Sequence, residues 1–335
     1  MKKRLLSGIQ PTNNLTLGNF LGAICNFVNL QNEFEVFLFV ADLHSLTTQE
    51  PLPKNFGDVK RSIIATYLAA GIDMQKATLF FQSSVNSIPL LSHILLCMSN
   101  LGELERMTQF KDKSQKVKKQ ENNTISIPTG LLTYPLLMAA DILAFNADLI
   151  PVGADQKQHM ELAQSLAERF NKRYKVKHFH YPQTYINQTT AKIMDLQDPS
   201  KKMSKSSENP KGTLFLSDDK NTIIKKIRAA VTDSLNQVKY DPEEQPGVSN
   251  LIVIYHALTN KPISEIEKMY DGSNYGIFKN DLAEIVANFI EDLQTKINYW
   301  LNSEELDVII EKSNEKASET AEKIVNETMK LMYLK

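Results

Sequence analysis

The sequence predicts an α/β protein with a doubly wound parallel sheet and a C-terminal all-helical domain. Over the first two thirds of the chain, short apolar runs alternate with helical patterns, which is typical of a parallel sheet with crossover helices. After about Pro210 the strand pattern disappears and only helical patterns follow. We therefore assign residues 1–212 to a sheet domain and residues 213–335 to a helical domain.

The strands are predicted at residues 36–41, 78–81 and 148–152, with a shorter strand-like start at residues 4–6. Continuous apolar runs of this length are typical of parallel strands that are buried on both faces. The helices between them are predicted at residues 58–70, 87–99 and 133–145. In such sheets ligands bind at the carboxyl ends of the strands, so residues that follow a strand are the first candidates for a site.

The second domain is predicted from helical patterns at residues 218–232, 248–259, 280–302 and 304–332. Asp241-Pro242 and Gln245-Pro246-Gly247 mark a turn between two of these helices. Residues 111–123 are polar, basic and without apolar periodicity, and they predict a loop or a mobile insertion. We expect a helical insertion in the sheet domain at about residues 105–150.

Composition limits the class of protein. A length of 335 residues suggests about two domains. The net charge of −1 implies no bulk attraction to nucleic acid, so any RNA contact must use local basic patches. The two cysteines, Cys25 and Cys97, have no paired spacing and argue against a disulfide framework or a cysteine-based zinc site. No apolar stretch has the length of a signal peptide or a membrane span, so we expect a cytoplasmic protein without membrane contact.

Two lysines and three small or flexible neighbours form the run Lys202-Met203-Ser204-Lys205-Ser206. The surrounding segment is polar and has no apolar periodicity, so it predicts a mobile loop that carries two point charges. Lysine ammonium groups on such a loop suit a reaction in which phosphate charge moves during the chemistry. Taken alone, the run is equally compatible with an ordinary solvated loop.

A second run, Ser7 to Thr12 followed by Thr16-Leu17-Gly18-Asn19, joins the strand-like start to an apolar helical stretch at residues 17–30. Glycine lets a phosphate or adenine approach the backbone closely because it has no Cβ. Asparagine at a helix start caps the helix or bonds a ligand. By itself this junction is either an ordinary turn or part of a nucleotide site.

These two runs, with Thr133-Tyr134-Pro135, Met138 to Leu143 and Val152 to His159, resemble the signature sequences of class I aminoacyl-tRNA synthetases. The order and spacing are most similar to the bacterial-type tryptophanyl-tRNA synthetases. The resemblance implies a Rossmann-like catalytic domain and a helical tRNA- and anticodon-binding domain. It also implies a homodimer that activates L-tryptophan with ATP and transfers it to tRNA(Trp).

The resemblance further implies an ATP site with catalytic roles for four residues. Thr16 and Asn19 would hold the phosphate chain, while Lys202 and Lys205 would neutralise the departing pyrophosphate. Mg²⁺ would bind the phosphates, because the sequence offers no dedicated carboxylate cage. The implied ATP-binding residues are Gln10, Pro11, Thr12, Gly18, Asn19, Gly153, Ala154, Asp155, Gln156, Ile193, Lys202, Met203, Ser204, Lys205 and Ser206.

A tryptophan pocket is expected on the helix at residues 133–145. Tyr134, Met138 and Asp141 are spaced i, i+4 and i+7, so they share one face of that helix. A buried carboxylate needs a partner, and spacing alone leaves open a distant arginine or a helix end. The resemblance implies instead that Asp141 accepts the indole N–H, with Tyr134, Met138, Gly8 and His44 forming the pocket.

Thr16 stands where many class I enzymes have histidine, a replacement that also occurs in the bacterial members of this family, and its hydroxyl can still donate a hydrogen bond to phosphate. The sequence departs from the family pattern at three positions. Asn13 replaces a common glycine, Leu6 stands at a position that is often phenylalanine, and Ala154 replaces an acidic residue. The sequence leaves the effects of these three changes open.

Two other functions are compatible with parts of this pattern. A tyrosyl-tRNA synthetase would have the same fold and reaction, and an aspartate can equally bind a phenol hydroxyl. A non-catalytic relative that binds tRNA or tryptophan would be expected to lose the loop lysines, which are both present in this chain. A basic run could also contact the tRNA acceptor arm or be a solvated loop; it comprises Lys111, Lys113, Lys116, Lys118 and Lys119.

Overall fold

The computed structural model describes residues 2–11, 15–48, 51–115, 127–153, 156–185, 192–205, 207 and 209–335, without the side chains of Thr48 and Lys113. Five parallel strands form one sheet in the order β3-β2-β1-β4-β5. The strands are β1 (Arg4–Ile9), β2 (Glu35–Val40), β3 (Ala77–Phe81), β4 (Leu149–Pro151) and β5 (Gln183–Tyr185). The strand order reverses at β1, which makes the sheet doubly wound and places a crevice beside the carboxyl ends of β1 and β4.

Helices cover both faces of the sheet and form the C-terminal region. They are α1 (Leu17–Asn19), α2 (Cys25–Leu30), α3 (Phe56–Ala69), α4 (Ser87–Met98), α5 (Leu101–Glu105), α6 (Thr108–Gln115), α7 (Thr129–Ala144), α8 (Lys157–Tyr174), α9 (Lys220–Arg228), α10 (Pro246–Thr259), α11 (Ile263–Met269), α12 (Tyr275–Leu301) and α13 (Glu305–Leu331). A π-helical turn (Phe20–Ile24) joins α1 to α2, and short 3-10 turns lie at Leu43–Thr48, Gln82–Ser84 and Pro210–Gly212.

The strands are apolar along their whole length because both sheet faces are buried. On β2, Val36 and Leu38 pack toward α2, α3 and α12, while Phe37 and Phe39 pack toward α4, α7 and α8. Side chains that alternate between two apolar layers account for the continuous apolar runs of the sequence. The α/β doubly wound prediction is therefore confirmed, and the observed strand bounds differ from the predicted ones by a few residues at most.

Two parts of the sequence-based assignment are corrected. Residues 111–115, which the sequence places in a loop, lie in α6, which begins after the buried Met107 and packs its Phe110 onto the core. The apolar contacts of Met107 and Phe110 hold this helix in place, although its own sequence shows little periodicity of apolar residues. The strand β5 has no counterpart in the sequence prediction, because it has only three residues and a mostly exposed pattern.

The last helix returns to the sheet. α13 packs against β3, α4 and α7, and its Ala317, Ala321 and Val325 are buried in the core that those elements share. β3 is an edge strand, and the Asn314 side-chain oxygen of α13 accepts a hydrogen bond from the Phe81 N–H at 3.0 Å. α13 thereby covers part of the open sheet edge. The boundary at residues 212 and 213 stays a prediction.

Within the described residues, the structure contains no helix with the length and apolar character needed to cross a membrane.

Candidate active site

A cavity of about 430 Å³ opens at the carboxyl ends of β1, β2 and β4, where the strand order reverses. Its walls combine apolar side chains with polar groups that converge from α7 and the loops, and this combination is typical of a small-molecule site. The lining residues are Leu6, Ser7, Gly8, Gln10, Phe39, Ala41, His44, Thr47, Gln109, Tyr134, Met138, Asp141, Ile142, Ile150, Pro151, Val152 and Gln156.

Tyr134, Met138 and Asp141 all line this cavity, as their spacing on one helix face predicted. Asp141 is only 2% exposed. Its carboxylate accepts hydrogen bonds from Gln82 Nε2 at 2.8 and 2.9 Å and lies 3.1 Å from His44 Nε2. The partner is thus neither a distant arginine nor a helix end, and Gln82 was not identified from the sequence.

Burial raises the pKa of the Asp141 carboxyl group, and the hydrogen bonds from His44 and Gln82 act in the opposite direction. An ionised carboxylate has about four acceptor positions, and the contacts to Asp141 come from two side chains. Asp141 therefore retains the capacity to accept one further hydrogen bond from a ligand in the cavity.

A second polar cluster connects Tyr134 to Gln156 through the buried His159. The Tyr134 hydroxyl lies 3.0 Å from His159 Nε2 and 2.9 Å from Gln109 Oε1. On the other side of the ring, His159 Nδ1 lies 2.8 Å from Gln156 Oε1. Because an amide oxygen only accepts, Nδ1 carries the hydrogen in this arrangement. His159 shows no metal-binding pattern in the sequence, and in the structure it holds two cavity-lining side chains.

The N-terminal run places Thr16, Gly18 and Asn19 at the start of α1. The Thr16 hydroxyl accepts from the Asn19 N–H at 3.1 Å, and the Asn19 side-chain oxygen accepts from the Thr16 N–H at 3.2 Å. This reciprocal capping box orients both side chains, and Thr16 itself is fully buried.

The two signature runs meet at Gly18. A Cβ atom at Gly18 would lie 3.4 Å from the Met203 Cβ and 3.5 Å from the Ile193 Cβ. The glycine therefore allows the start of α1 to approach both segments closely. Residues from three separate sequence runs are therefore brought together at this point.

The lysine loop is anchored by its apolar member and presents its charges outward. Met203 is buried, and its N–H donates to the Ile193 carbonyl at 3.0 Å. The Thr213 hydroxyl donates to the Ser204 carbonyl at 2.9 Å. Lys202 and Lys205 are exposed, although partial desolvation lowers the pKa of the Lys205 ammonium group.

One side chain of the C-terminal region holds the base of this loop. Asn250 on α10 is buried, and it accepts from the Met194 N–H at 2.8 Å and donates to the Met194 carbonyl at 2.9 Å. Met194 is in turn bridged to Lys202. Asn250 was not predicted as a site residue, because its partner lies 56 positions earlier in the chain.

The remaining predicted residues lie at the margins of the described site. Pro11 is buried after β1, and the exposed Gly153 follows β4. Thr12, Asn13, Ala154, Asp155 and Ser206 lie outside the described residues, as do Lys116, Lys118 and Lys119 of the basic run.

Comparisons with known proteins show the family to which the chain belongs. Residues 1–291 match the family described as tRNA synthetases class I (W and Y). The tryptophan--tRNA ligase of Ureaplasma parvum is 64% identical over 99% of this chain and 100% of its own length. The tryptophanyl-tRNA synthetase structure from Mycoplasma pneumoniae has a TM-score of 0.89 at 40% identity and covers 100% of this chain and 99% of its own. A Campylobacter jejuni tryptophanyl-tRNA synthetase with ADP and tryptophan has a TM-score of 0.83 at 31% identity, over 99% of this chain and 100% of its own.

The doubly wound sheet, the two converging signature runs and the matched family define a class I aminoacyl-tRNA synthetase. Tryptophan--tRNA ligases that are up to 64% identical over nearly the whole chain then identify the amino-acid branch of this class. The chain belongs to the bacterial-type tryptophanyl-tRNA synthetases.

Proposed function

We propose that this chain activates L-tryptophan with ATP, forming tryptophanyl-adenylate and pyrophosphate, and then transfers tryptophan to tRNA(Trp). The observation that carries the proposal is the buried Asp141 carboxylate at the wall of the cavity, beside the meeting point of the two signature runs. The tryptophan--tRNA ligases among the full-length relatives support the same assignment.

Tryptophan is recognised through its single ring donor. The indole is a flat apolar body with one N–H, and a single acceptor in an apolar slot is sufficient to select it. Asp141 supplies that acceptor, Met138 and Gly8 line the slot, and His44 holds the carboxylate from the side. Tyr134, held by His159, provides a polar group for the amino-acid end.

The ATP site lies between the start of α1 and the lysine loop. Gln10 and Gln156 border the cavity, while Gly18 and Ile193 meet beside the buried Met203. The other described residues of the proposed site are Pro11, Asn19, Gly153, Lys202, Ser204 and Lys205. Thr12, Ala154, Asp155 and Ser206 belong to the proposal from their sequence positions alone.

Activation requires no protein nucleophile, since the substrate carboxylate attacks the α-phosphate and pyrophosphate leaves. Catalysis then consists of positioning and of electrostatic stabilisation of the moving charge. Asn19, oriented by Thr16, holds the phosphate chain at the start of α1. Lys202 and Lys205 point outward from the anchored Met203 and neutralise the departing pyrophosphate.

Mg²⁺ is proposed to accompany ATP on its phosphate oxygens, which are the hard ligands that this ion prefers. Among the described residues there is no group of three or more His, Cys, Asp or Glu side chains that could hold a metal. When bound, the ion would neutralise part of the phosphate charge.

Recognition of tRNA is proposed for the helical C-terminal region, with Lys225 and Arg228 of α9 exposed for phosphate contact. Lys226, on the same helix, is occupied internally: its Nζ lies 2.7 Å from Asp218 Oδ2 and 2.8 Å from the Thr213 carbonyl. Lys226 is therefore a structural residue. A cytoplasmic location also stays a prediction.

A homodimer is proposed through the outer face of α4 and the start of α5. Leu90 and Leu96 of α4 and Leu101 of α5 are 41%, 40% and 62% exposed. Large apolar side chains with this exposure are candidates for a protein interface. A second copy of the chain is the proposed partner, and sedimentation of a Leu96→Glu variant as a monomer would support it, whereas an unchanged sedimentation profile would refute this face.

Amino-acid-dependent exchange between ATP and pyrophosphate, measured with each amino acid in turn, tests the proposed function. Tryptophan alone should support rapid exchange. A preference for tyrosine would identify a tyrosyl-tRNA synthetase, and no exchange with any amino acid would favour the non-catalytic alternative.

A further inference from the structure

Gln82 occupies a fully buried position between three elements of the cavity wall. It begins the 3-10 turn that follows β3 and has no exposed surface. Its Nε2 donates to both carboxylate oxygens of Asp141 at 2.8 and 2.9 Å. Its Oε1 accepts from the backbone N–H groups of Leu43 and His44 at 3.1 and 3.4 Å. One neutral amide thus connects β3, α7 and the turn that carries His44.

Two side chains, His44 and Gln82, hold the Asp141 carboxylate, and of these Gln82 contacts both of its oxygens. His44 Nε2 lies at 3.1 Å, and its ring carries charge only when protonated. Asp42 acts on Asp141 as a like charge, although Lys60 Nζ at 2.7 Å and the Ser83 hydroxyl both bond Asp42. Removing a partner from a buried charged group costs more than removing one from a neutral group.

We propose that Gln82 is a positioning residue for amino-acid recognition, which fixes the Asp141 carboxylate in the orientation that receives the indole N–H. The same amide ties the His44 backbone to Asp141, so that both sides of the indole slot keep a fixed separation. The proposal rests on the proposed function, in which Asp141 binds tryptophan. It adds a residue that touches no substrate and was not identified from the sequence.

The first test replaces Gln82 by methionine, which keeps the length of the side chain and removes both its donor and its acceptor. Gln82→Met should raise the KM for tryptophan about 10- to 100-fold, the factor expected when a hydrogen bond to a charged group is lost. The KM for ATP should stay within about twofold. Both constants would be measured by pyrophosphate exchange on one preparation.

Gln31→Met is the matched control. Gln31 is also a buried amide, and it donates to the Val28 and Gly71 carbonyls and accepts from the Asp73 N–H, on the sheet face opposite the cavity. This variant loses a comparable set of buried hydrogen bonds, so its Tm should fall while its KM for tryptophan stays at the wild-type value. Equal effects of the two variants on the KM for tryptophan would assign Gln82 a merely structural role and overturn the proposal.

The pH dependence of the KM for tryptophan distinguishes a residue that positions Asp141 from one that only fills space in the core. In Gln82→Met, the loss of a donor raises the pKa of Asp141 further, so the KM for tryptophan should fall as the pH rises and Asp141 ionises. In Gln82→Glu, two buried carboxyl groups share a proton, and the protonated Glu can donate to Asp141 in place of the amide. Its KM for tryptophan should rise as the pH rises and the pair loses that proton.

Opposite slopes of KM against pH in the two variants support the positioning role, and parallel or flat profiles overturn it. If Gln82→Met does not fold, the slope of Gln82→Glu decides alone. Asp141→Ala, which removes the acceptor, tells a failure of this proposal from a failure of the proposed function. If Asp141→Ala leaves the KM for tryptophan unchanged, the assignment of Asp141 fails, and Gln82 loses its role with it. If Asp141→Ala weakens tryptophan binding and Gln82→Met does not, only the positioning role fails.

Discussion

At the scale of single residues, Asp141 is held by a neutral amide and an imidazole, and burial raises its pKa. A carboxyl group with a raised pKa binds its proton more readily in the folded chain than in the unfolded one. Stability therefore falls as the pH rises from the unfolded pKa of about 3.9 toward the native pKa, and the loss persists above it. The ionised Asp141 thus destabilises the fold at neutral pH. The same negative charge makes it a strong hydrogen-bond acceptor in the site.

Asp141→Asn should consequently be more stable than the wild type at pH 7, by a few degrees in Tm, while binding tryptophan more weakly. The difference in Tm should shrink as the pH falls toward the unfolded pKa of about 3.9, because Asp141 then gains its proton. Thermal unfolding at several pH values measures the effect. A lower Tm of the variant across the whole range would show that ionised Asp141 stabilises the fold instead.

Lys205 carries the clearest prediction for the chemical step. Lys205→Ala should slow adenylate formation by about 100- to 1,000-fold, since loss of one preorganised donor to a developing charge costs ~2.7–4 kcal/mol. Tryptophan binding should be nearly unchanged, because Lys205 does not line the cavity. Lys201→Ala is the control, since Lys201 is a nearby loop lysine whose Nζ lies 2.8 Å from Asp198 Oδ2. Near-normal exchange by Lys205→Ala would exclude a catalytic role for this lysine.

At the scale of elements, α10 and the lysine loop are joined through Asn250 and Met194. Asn250→Ala leaves the Met194 N–H and carbonyl without these partners, so the Ile193–Met203 contact should loosen. We expect the KM for ATP to rise about tenfold, on the scale of one or two lost hydrogen bonds, with the KM for tryptophan within about twofold. Steady-state exchange gives both constants. Equal increases in the two would mean that Asn250 supports the whole catalytic fold.

The elements also show what could be predicted from the sequence. β2 and β3 were predictable because burial on both faces produces a continuous apolar run, and α7 because Tyr134, Met138 and Asp141 repeat with helical spacing. β5 and α6 were not, because a strand of three mostly exposed residues and a helix held by tertiary contacts leave no periodic pattern. Two hydrogen-bond partners, Gln82 of Asp141 and Asn250 of Met194, were not predicted for a related reason. Gln82 and Asn250 lie 59 and 56 positions from them, and only the folded chain brings these side chains together.

At the scale of the whole molecule, the C-terminal helices form one core with the sheet, since α12 packs on α3 and α13 packs on β3. Charge reversal on the exposed part of α9 should nevertheless affect tRNA alone. A variant with Lys225→Glu and Arg228→Glu should have a raised KM for tRNA, because each lost phosphate contact weakens binding. Its rate of pyrophosphate exchange should match the wild type. A comparable loss of both activities would place these residues in support of the fold.

The central claim is that a buried Asp141 selects tryptophan by accepting its indole N–H. The most direct measurement compares pyrophosphate exchange by the wild-type protein with tryptophan, 1-methyltryptophan and tyrosine. A site built around one hydrogen bond rejects ligands that leave its polar group unpaired, by factors that reach ~10⁴–10⁵. We expect efficient exchange with tryptophan, and a loss of at least about 100-fold with both of the others. Exchange with 1-methyltryptophan at the rate of tryptophan, or a preference for tyrosine, would contradict this role of Asp141.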